Sequence, residues 1–441
     1  MGIPYYFASL IRQHKGIVSK VHDCLRPAVL AIDFNCLIHQ YMDDTNPIQS
    51  IVDALRVLLD TVCSPTQFLY IAMDGMVPYA KMVQQRYRRF RTPEKTPVFD
   101  RHQISPETPY MKSLAIAIRE SFPNAIVSDT SQQGEGEHKL LLWLKTLPPN
   151  QRESIVVYGL DADLILLTLS QKGLSTPGSF HLLREAQTFK KESQGFATLS
   201  VWKLSEKLDI PIDEYIRLCV LCFGNDFMPS LGMFSLREGG HERALRIYKQ
   251  NKCSLVTQGG RAAFLVHAGK EELPFLLERT QSRGNAFERS IVSLDGKHLK
   301  EKYNTHILDG VADSKPVVDA FWKTFHWTLS YFTENKHPDW GWYYPYPDAP
   351  LVCQLNDYKE EAISYPSTVK PFTITEQLQF ILPSTSLRTA KKRVAYPDEL
   401  YDEEKDTRVP WMKRYVWESK PRMSLPCGST LKETRIEPWG V

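Results

Sequence analysis

Apolar runs of strand length, several of them leading straight to an acid, recur through the first half of this chain. Pro27-Ala-Val-Leu-Ala-Ile-Asp33 is one, Phe68-Leu-Tyr-Ile-Ala-Met-Asp74 another, and Ser154-Ile-Val-Val-Tyr158 leads shortly to Asp161. Runs without polar alternation read as strands buried on both faces, which is how a parallel sheet is written. Further strand-like segments fall near Ala125 and Phe180, and stretches of helical period lie between, over residues 48–62, 77–91, 111–121, 137–147 and 201–221. Another helix begins in Leu164-Ile-Leu-Leu-Thr-Leu169. The alternation predicts an α/β fold with a mostly parallel sheet flanked by helices. A helical region follows from Gly240 to about Phe332, and residues 94–109 read as a loop or lid beside the 77–91 helix. Beyond Pro383 the chain is polar and punctuated by proline, with Trp411, Trp417 and Trp439 as points by which parts of it dock on the body.

Acids gather where the strands end. Asp33 and Asp74 close two of them; Glu135 and Glu137 stand at i and i+2 in Ser131-Gln-Gln-Gly-Glu-Gly-Glu-His138, as do Asp161 and Asp163 in Gly159-Leu-Asp-Ala-Asp163. Asp226, in Gly224-Asn-Asp-Phe227, follows a long apolar helix. In extended backbone the i, i+2 spacing sends both carboxylates to one side, and the carboxyl ends of strands are where α/β sheets form ligand crevices. A single Asp after a strand is ordinarily a helix cap, but this whole set argues for a metal site. Carboxylates are hard ligands that suit Mg²⁺ or Mn²⁺, and the lack of His or Cys partners argues against zinc. Without cations so many acids would repel one another. The chemistry that needs such a site is phosphodiester hydrolysis with two ions roughly 3.5–4 Å apart.

If residues 77–91 form a helix, Lys81, Gln85, Arg88 and Arg89 fall on one face, with Pro78 in the first turn. An ammonium, an amide and two guanidinium forks make a phosphate cradle. Asp74 lies just before this helix, so the cradle belongs beside the acids.

These residues sit within longer motifs: Met1-Gly-Ile-Pro4, Asp33-Phe-Asn-Cys-Leu-Ile-His39, Met73-Asp-Gly75, Ala80-Lys-Met-Val-Gln-Gln-Arg-Tyr-Arg-Arg-Phe-Arg91, Gly134-Glu-Gly-Glu-His-Lys139, Tyr158-Gly-Leu-Asp-Ala-Asp-Leu164 and Gly224-Asn-Asp-Phe-Met-Pro229. In content and order they resemble the XRN 5′→3′ exoribonucleases, within the flap-endonuclease-like, PIN-like nuclease superfamily. A looser resemblance covers residues 287–387, through Phe325-His-Trp-Thr-Leu-Ser-Tyr-Phe332 and Trp340-Gly-Trp-Tyr-Tyr-Pro-Tyr346. The resemblance implies a PIN/flap-nuclease-like sheet with an added helical C-terminal region. It also implies hydrolysis of single-stranded RNA from a 5′-monophosphate by two Mg²⁺ or Mn²⁺ ions. Asp33, Asp74, Glu135, Glu137, Asp161, Asp163 and Asp226 carry over as catalytic metal ligands, and Lys81, Gln85, Arg88 and Arg89 as the grip on the terminal phosphate. His39 carries over as a base-stacking residue and Trp327 as a second, with Trp342 as the other candidate. The implied division is 1–251 for the nuclease region, 252–286 for a short connection, 287–387 for the second region and 388–441 for a partly docked polar tail.

Composition narrows the setting. A net charge of +3 is too small to identify a nucleic-acid binder, so the local cluster at 81–91 must carry that reading. The eight cysteines are scattered, and Cys219 and Cys222 form a lone C-x-x-C that reads as helix core rather than a zinc site. Scattered cysteines and apolar runs of only strand length predict a reduced, intracellular protein, cytoplasmic with a nuclear place left open, and without a membrane span. Met1-Gly2 does not open a myristoylation motif, because Tyr6 stands where Ser or Thr is needed. Two other functions stay open: a structure-specific DNA flap endonuclease or 5′ exonuclease on the same fold, and a catalytically inactive RNA-binding scaffold.

Overall fold

The computed structural model describes residues 2–3, 5–42, 44–91, 99–187, 193–308, 310–365 and 371–382. The tail at 388–441, with its three tryptophans, lies outside the described residues, as does part of the 94–109 segment. The chain opens with α1 (Tyr6–Gln13), β1 (Val18–Lys20), β2 (Val29–Asp33), α2 (Phe34–Ile38), α3 (Pro47–Val57) and β3 (Phe68–Ala72). Next come α4 (Tyr79–Arg91), α5 (Pro109–Ser121), β4 (Ile126–Ser128), α6 (Gly136–Thr146), β5 (Ile155–Tyr158) and α7 (Asp163–Ser170). Strands β6 (Phe180–Gln187) and β7 (Ser193–Ser200) finish the sheet. Helices fill the remainder: α8 (Val201–Leu208), α9 (Ile212–Phe223), α10 (Gly240–Asn251), α11 (Gln258–Arg283), α12 (Ala286–Ile291), α13 (Leu299–His306), α14 (Lys315–Leu329), α15 (Val352–Asp357) and α16 (Ile374–Ile381).

The strands lie in the order β1-β7-β6-β5-β2-β3-β4. From β6 to β4 every pair is parallel, while β7 runs antiparallel to both β6 and β1. The mostly parallel α/β sheet is therefore as expected, and the antiparallel edge made by β1 and β7 is not. Neither strand carries a continuous apolar run: β1 is half-buried to exposed throughout, and β7 alternates half-buried Phe196 and Thr198 with buried Ala197 and Leu199. β2 is buried along its whole length and stands between β3 and β5. The chain leaves β2 toward β3 and β4, then returns to its other side for β5. Such a reversal opens a crevice at the carboxyl ends of the strands.

Alternation along β2 feeds two cores. Val29 and Ala31 join one face and Leu30 and Ile32 the other. The first core is continuous with the buried aromatics of α14, including Phe321, Phe325 and Trp327, so sheet and helical region share one interior. Residues 201–221 form two helices rather than one, because Asp209 takes a left-handed conformation at φ 54 and Pro211 follows. Cys219 and Cys222 are core residues of α9, as expected. The 252–286 connection contains the 26-residue helix α11, which packs on α10 and α15.

Helix α4 is held from behind by the second region. Val77, Tyr79, Met82 and Val83 form a small core with Phe372, Phe380, Ile381 and Leu382. The Val77 N–H donates to Gln377 Oε1 at 2.9 Å, the Tyr79 N–H to the Trp340 carbonyl at 2.8 Å, and buried Arg86 donates to the Phe380 carbonyl. Pro78 precedes the first turn and its carbonyl accepts from Met82 N at 3.0 Å, so it starts the helix from just outside.

Candidate active site

A cavity of about 270 Å³ opens at the carboxyl ends of the central strands. Asp33, Asp74, Glu135, Glu137 and Asp161 line it from the sheet side; Lys81, Gln85 and Arg88 line it from α4; and Asn35, Cys36, His39, Gln40 and Leu160 complete the wall. Asp163 and Asp226 are buried against the same cluster, Asp226 accepting from Lys81 Nζ at 2.8 Å.

Local backbone explains how the acids converge. Asp33 is the last residue of β2, and Asp74 follows β3. Glu135 caps α6 in extended conformation while Glu137 lies in its first turn, so the pair converges at a helix start rather than along a strand. The Gly136 N–H between them donates to Asp74 Oδ1 at 2.7 Å, joining the α6 terminus to the β3 acid. Only glycine fits there: a Cβ on Gly136 would lie 2.8 Å from Asp33 Oδ1 and 3.0 Å from the Ala72 carbonyl oxygen. Gly2, at φ +44, presses on Asp163 in the same way, with space for a Cβ closed by the Asp163 carboxylate. Asn35 Oδ1 receives the Asp74 N–H at 3.2 Å and so fixes the backbone at that acid.

Protein donors hold this carboxylate cluster. Lys81 Nζ lies 2.5 Å from Glu135 Oε2 and 2.8 Å from Asp226 Oδ2. The Tyr331 hydroxyl lies 2.5 Å from Glu135 Oε1 and 3.2 Å from Glu137 Oε1. Burial would lower the Lys81 pKa, but Asp226, Glu135, Glu137 and Asp163 outweigh it and raise the value well above normal. Burial, then Asp74 and Asp161, push Asp33 up; burial, then Asp163 and Glu135, push Glu137 up. Asp163 is raised to about 7 by burial and by Asp161 and Asp226. Mutual repulsion on this scale is the electrostatic condition that a bound cation relieves. Among the described residues no three His, Cys, Asp or Glu groups already stand as an ion's cage. The donor set is nonetheless all hard oxygen, and Asp163 Oδ1 is buried with no hydrogen-bond partner. These residues fit divalent cations.

The basic helix divides. Lys81, Gln85 and Arg88 face the cavity, whereas buried Arg89 donates to the Ile104 carbonyl at 3.1 Å and to Ser105 Oγ at 3.0 Å, with Gln85 Oε1 at 3.4 Å. His39 is exposed at the rim. The concave protein around its ring, with Arg88 and Arg89 nearby, lowers its pKa to about 4, so the imidazole is neutral.

Trp327 requires a correction. It has no exposed surface, its indole N–H donates to the Asp339 carbonyl at 2.8 Å, and its ring packs 5.0 Å from Phe227 and 5.8 Å from Tyr331. In this packing no face of the ring is open to a base. Period and composition alone do not separate an aromatic on the inner stripe of a helix from one at a binding surface. Trp342 is half-buried beneath the Lys323 ammonium at 4.1 Å, and it does not line the cavity.

The profile described as "XRN 5'-3' exonuclease N-terminus" matches residues 1–97 and 92–186, and that described as "Xrn1 helical domain" matches residues 296–404. The chain belongs to the XRN family. Among curated XRN relatives it is 29% identical over 323 residues to 5'-3' exoribonuclease 1 of Saccharomyces cerevisiae, covering 57% of this chain and 21% of that protein. It is 27% identical over 362 residues to 5'-3' exoribonuclease 2 of Candida glabrata, covering 56% of this chain and 35% of the relative. The XRN chain thus matches between a fifth and about a third of the length of these two relatives. A solved structure of the catalytic core of Rad2 in complex with DNA substrate covers 73% of this chain and 85% of its own at 15% identity, with a TM-score of only 0.38.

Proposed function

We propose that this protein is a divalent-metal-dependent 5′→3′ exoribonuclease that degrades single-stranded RNA bearing a 5′-monophosphate. One observation carries the reading: the acid cluster and the Lys81, Gln85 and Arg88 side chains share a single cavity. Asp33, Asp74, Glu135, Glu137, Asp161, Asp163 and Asp226 would hold two Mg²⁺ or Mn²⁺ ions. When bound, such ions activate water and stabilise charge on the leaving oxygen.

The chain's own residues do the rest. Arg88 and Gln85 bind the terminal phosphate, with Arg88 matching its oxygens as a planar fork. Lys81 lies between that phosphate and the acids and offsets the charge of both. Arg89 braces the pocket through Ser105 and Gln85 rather than from its surface. Anchoring the 5′ end beside the acids brings the first phosphodiester to the reacting centre, which sets the direction of degradation. Neutral His39 at the rim stacks on a base, a contact that tolerates any base.

Residues 1–251 and 287–387 form the two working regions in this reading, with 252–286 joining them and 388–441 as the tail. Among the described residues no helix is long and apolar enough to cross a membrane. The seven described cysteines are all outside disulfides, which suits a reducing, cytoplasmic setting. The deciding experiment gives purified protein Mg²⁺ with end-labelled 5′-monophosphate, 5′-triphosphate and capped RNAs and a matched DNA. Stepwise loss of the monophosphate RNA alone is expected. Preferred cleavage of DNA, or no cleavage of any substrate, would overturn the proposal.

A further inference from the structure

Tyr331 joins the second region to the acid cluster. It lies just past α14, in a wide turn over Ser330–Glu334, far along the chain from the residues it touches. Its hydroxyl stands 2.5 Å from Glu135 Oε1 and 3.2 Å from Glu137 Oε1, and the side chain is wholly buried. A phenol carries one proton, so it donates chiefly to Glu135 and holds Glu137 by the longer contact. The ring is fixed on several sides: His138 at 3.8 Å between centroids, Phe227 at 4.7 Å and His337 at 5.7 Å. His138 follows Glu137 on α6, and Phe227 follows Asp226. The ring therefore packs on the immediate neighbours of Glu137 and Asp226, while the hydroxyl reaches Glu135 and Glu137.

We infer that Tyr331 is a positioning residue for the metal site, orienting the Glu135 and Glu137 carboxylates toward the cations they would hold. The inference rests on the metal-dependent reading above. Each carboxylate presents several lone-pair sites, and a fixed donor on one oxygen leaves the other to face the cavity. Lys81 takes Oε2 of Glu135 at 2.5 Å, so this acid is held at both ends, and a cation entering the cluster competes with the ammonium rather than with the phenol. Among the described residues, the Tyr331 hydroxyl on Oε1 is the hydrogen-bond partner that holds the Glu137 carboxylate. Removing it frees that side chain to turn, and outer partners of this kind change metal affinity or activity by roughly 10- to 100-fold.

The test is calorimetric titration of Mn²⁺ into the wild-type full chain, Tyr331→Phe and Trp327→Phe, without RNA, beside thermal melts in EDTA. Tyr331→Phe keeps the ring and its packing, and should weaken Mn²⁺ binding by about tenfold or more. Its RNA cleavage should recover as Mn²⁺ is raised. Trp327→Phe disturbs the same aromatic cluster without touching an acid, and should lower the melting temperature while leaving the Mn²⁺ affinity near that of the wild type. Affinity for Tyr331→Phe within twofold of the wild type would overturn the inference. So would an equal loss in Trp327→Phe, because packing rather than the hydroxyl would then be responsible. A wild type that binds no Mn²⁺ would instead overturn the metal-dependent reading beneath it.

Discussion

Lys81 Nζ meets Glu135 Oε2 at 2.5 Å, with both side chains almost sealed from solvent. The same ammonium reaches Asp226, so one cation from α4 offsets acids from two separate elements. Breaking a buried pair by removing one partner leaves charge uncompensated and costs about 3–5 kcal/mol. Lys81→Met should therefore destabilise the protein by about that amount in EDTA, and Mg²⁺ should restore part of the loss. Denaturant unfolding with and without metal measures both. Wild-type stability of the variant in EDTA would remove the lysine from its place as the internal counter-ion.

Asp161 lines the cavity and is only partly buried, so its loss should spare the fold. Asp161→Ala should reduce hydrolysis by roughly a hundredfold or more if it is the direct ligand proposed above, since such a ligand matters at least as much as an outer partner. RNA binding should largely survive, because Gln85 and Arg88 are untouched. Filter binding and single-turnover cleavage on the same RNA separate the two effects. Rapid cleavage by the variant, or by the wild type in excess EDTA, would contradict the two-ion site.

Much of this site could be read from the sequence because acids at strand ends are set by local pattern. Asp33 and Asp74 follow apolar runs that can only be central strands, and their convergence then follows from the parallel order of β2 and β3. The i, i+2 pairing of Glu135 and Glu137 pointed to the right place for an incomplete reason. Their common side comes from the α6 start and from a tyrosine 196 positions from Glu135. Contacts at that separation leave no mark in local periodicity. Tyr331 and Trp327 share one apolar stripe, and only the packing shows that one reaches the acids while the other fills the core. Arg89 was similarly ambiguous, since helical spacing gives its face but cannot show that Ser105 draws it away from the cavity.

His39 stands exposed at the rim, close to Arg88 and Asp161. His39→Ala should slow stepping along RNA by roughly 5- to 100-fold while initial binding changes less, as stacking contributes about 1–3 kcal/mol per base. With a pKa of about 4 the ring keeps its neutral form between about pH 6 and pH 8, so the defect should be constant across that range. His39→Phe should restore most of the rate. Single-turnover degradation unchanged in His39→Ala would leave this histidine no part in the RNA track.

His241 governs an acid-sensitive network away from the site. The Tyr6 hydroxyl donates to Tyr215 at 2.8 Å, Tyr215 lies 2.8 Å from His241 Nε2, and His241 Nδ1 lies 2.6 Å from Gln13 Oε1. Each donor finds an acceptor only when the imidazole is neutral and carries its proton on Nδ1. Burial, then His14, lower its pKa to about 3 from an ordinary 6.5. A depressed value means the unfolded chain binds the proton more tightly, so this stability is complete above pH 6.5 and drains away as pH falls toward 3. The full window is on the order of 5 kcal/mol. His241→Gln should flatten that stretch of the stability curve, at a cost of about 1–3 kcal/mol at neutral pH for polar groups left unpaired. Parallel acid limbs for variant and wild type would show that other groups set the acid sensitivity.

Arg88 faces the cavity beside Gln85, whereas Arg89 is turned toward Ile104 and Ser105. A guanidinium on the terminal phosphate rewards the 5′-monophosphate dianion, and the enclosed space disfavours a triphosphate or cap. Arg88→Ala should therefore slow cleavage of monophosphorylated RNA by about ten- to a hundredfold, from charge-assisted hydrogen bonds worth roughly 1.5–3 kcal/mol. Cleavage of 5′-hydroxyl RNA, which never used the pocket, should change much less, so the two rates converge. Arg89→Ala should also reduce monophosphate cleavage, but through a loosened pocket wall, with a lower melting temperature that Arg88→Ala does not show. Arg89 donates to one carbonyl and one hydroxyl from a buried position, and its loss leaves both without that donor. Matched rates of the wild type on hydroxyl, monophosphate and triphosphate ends would mean that this helix does not read the terminus at all.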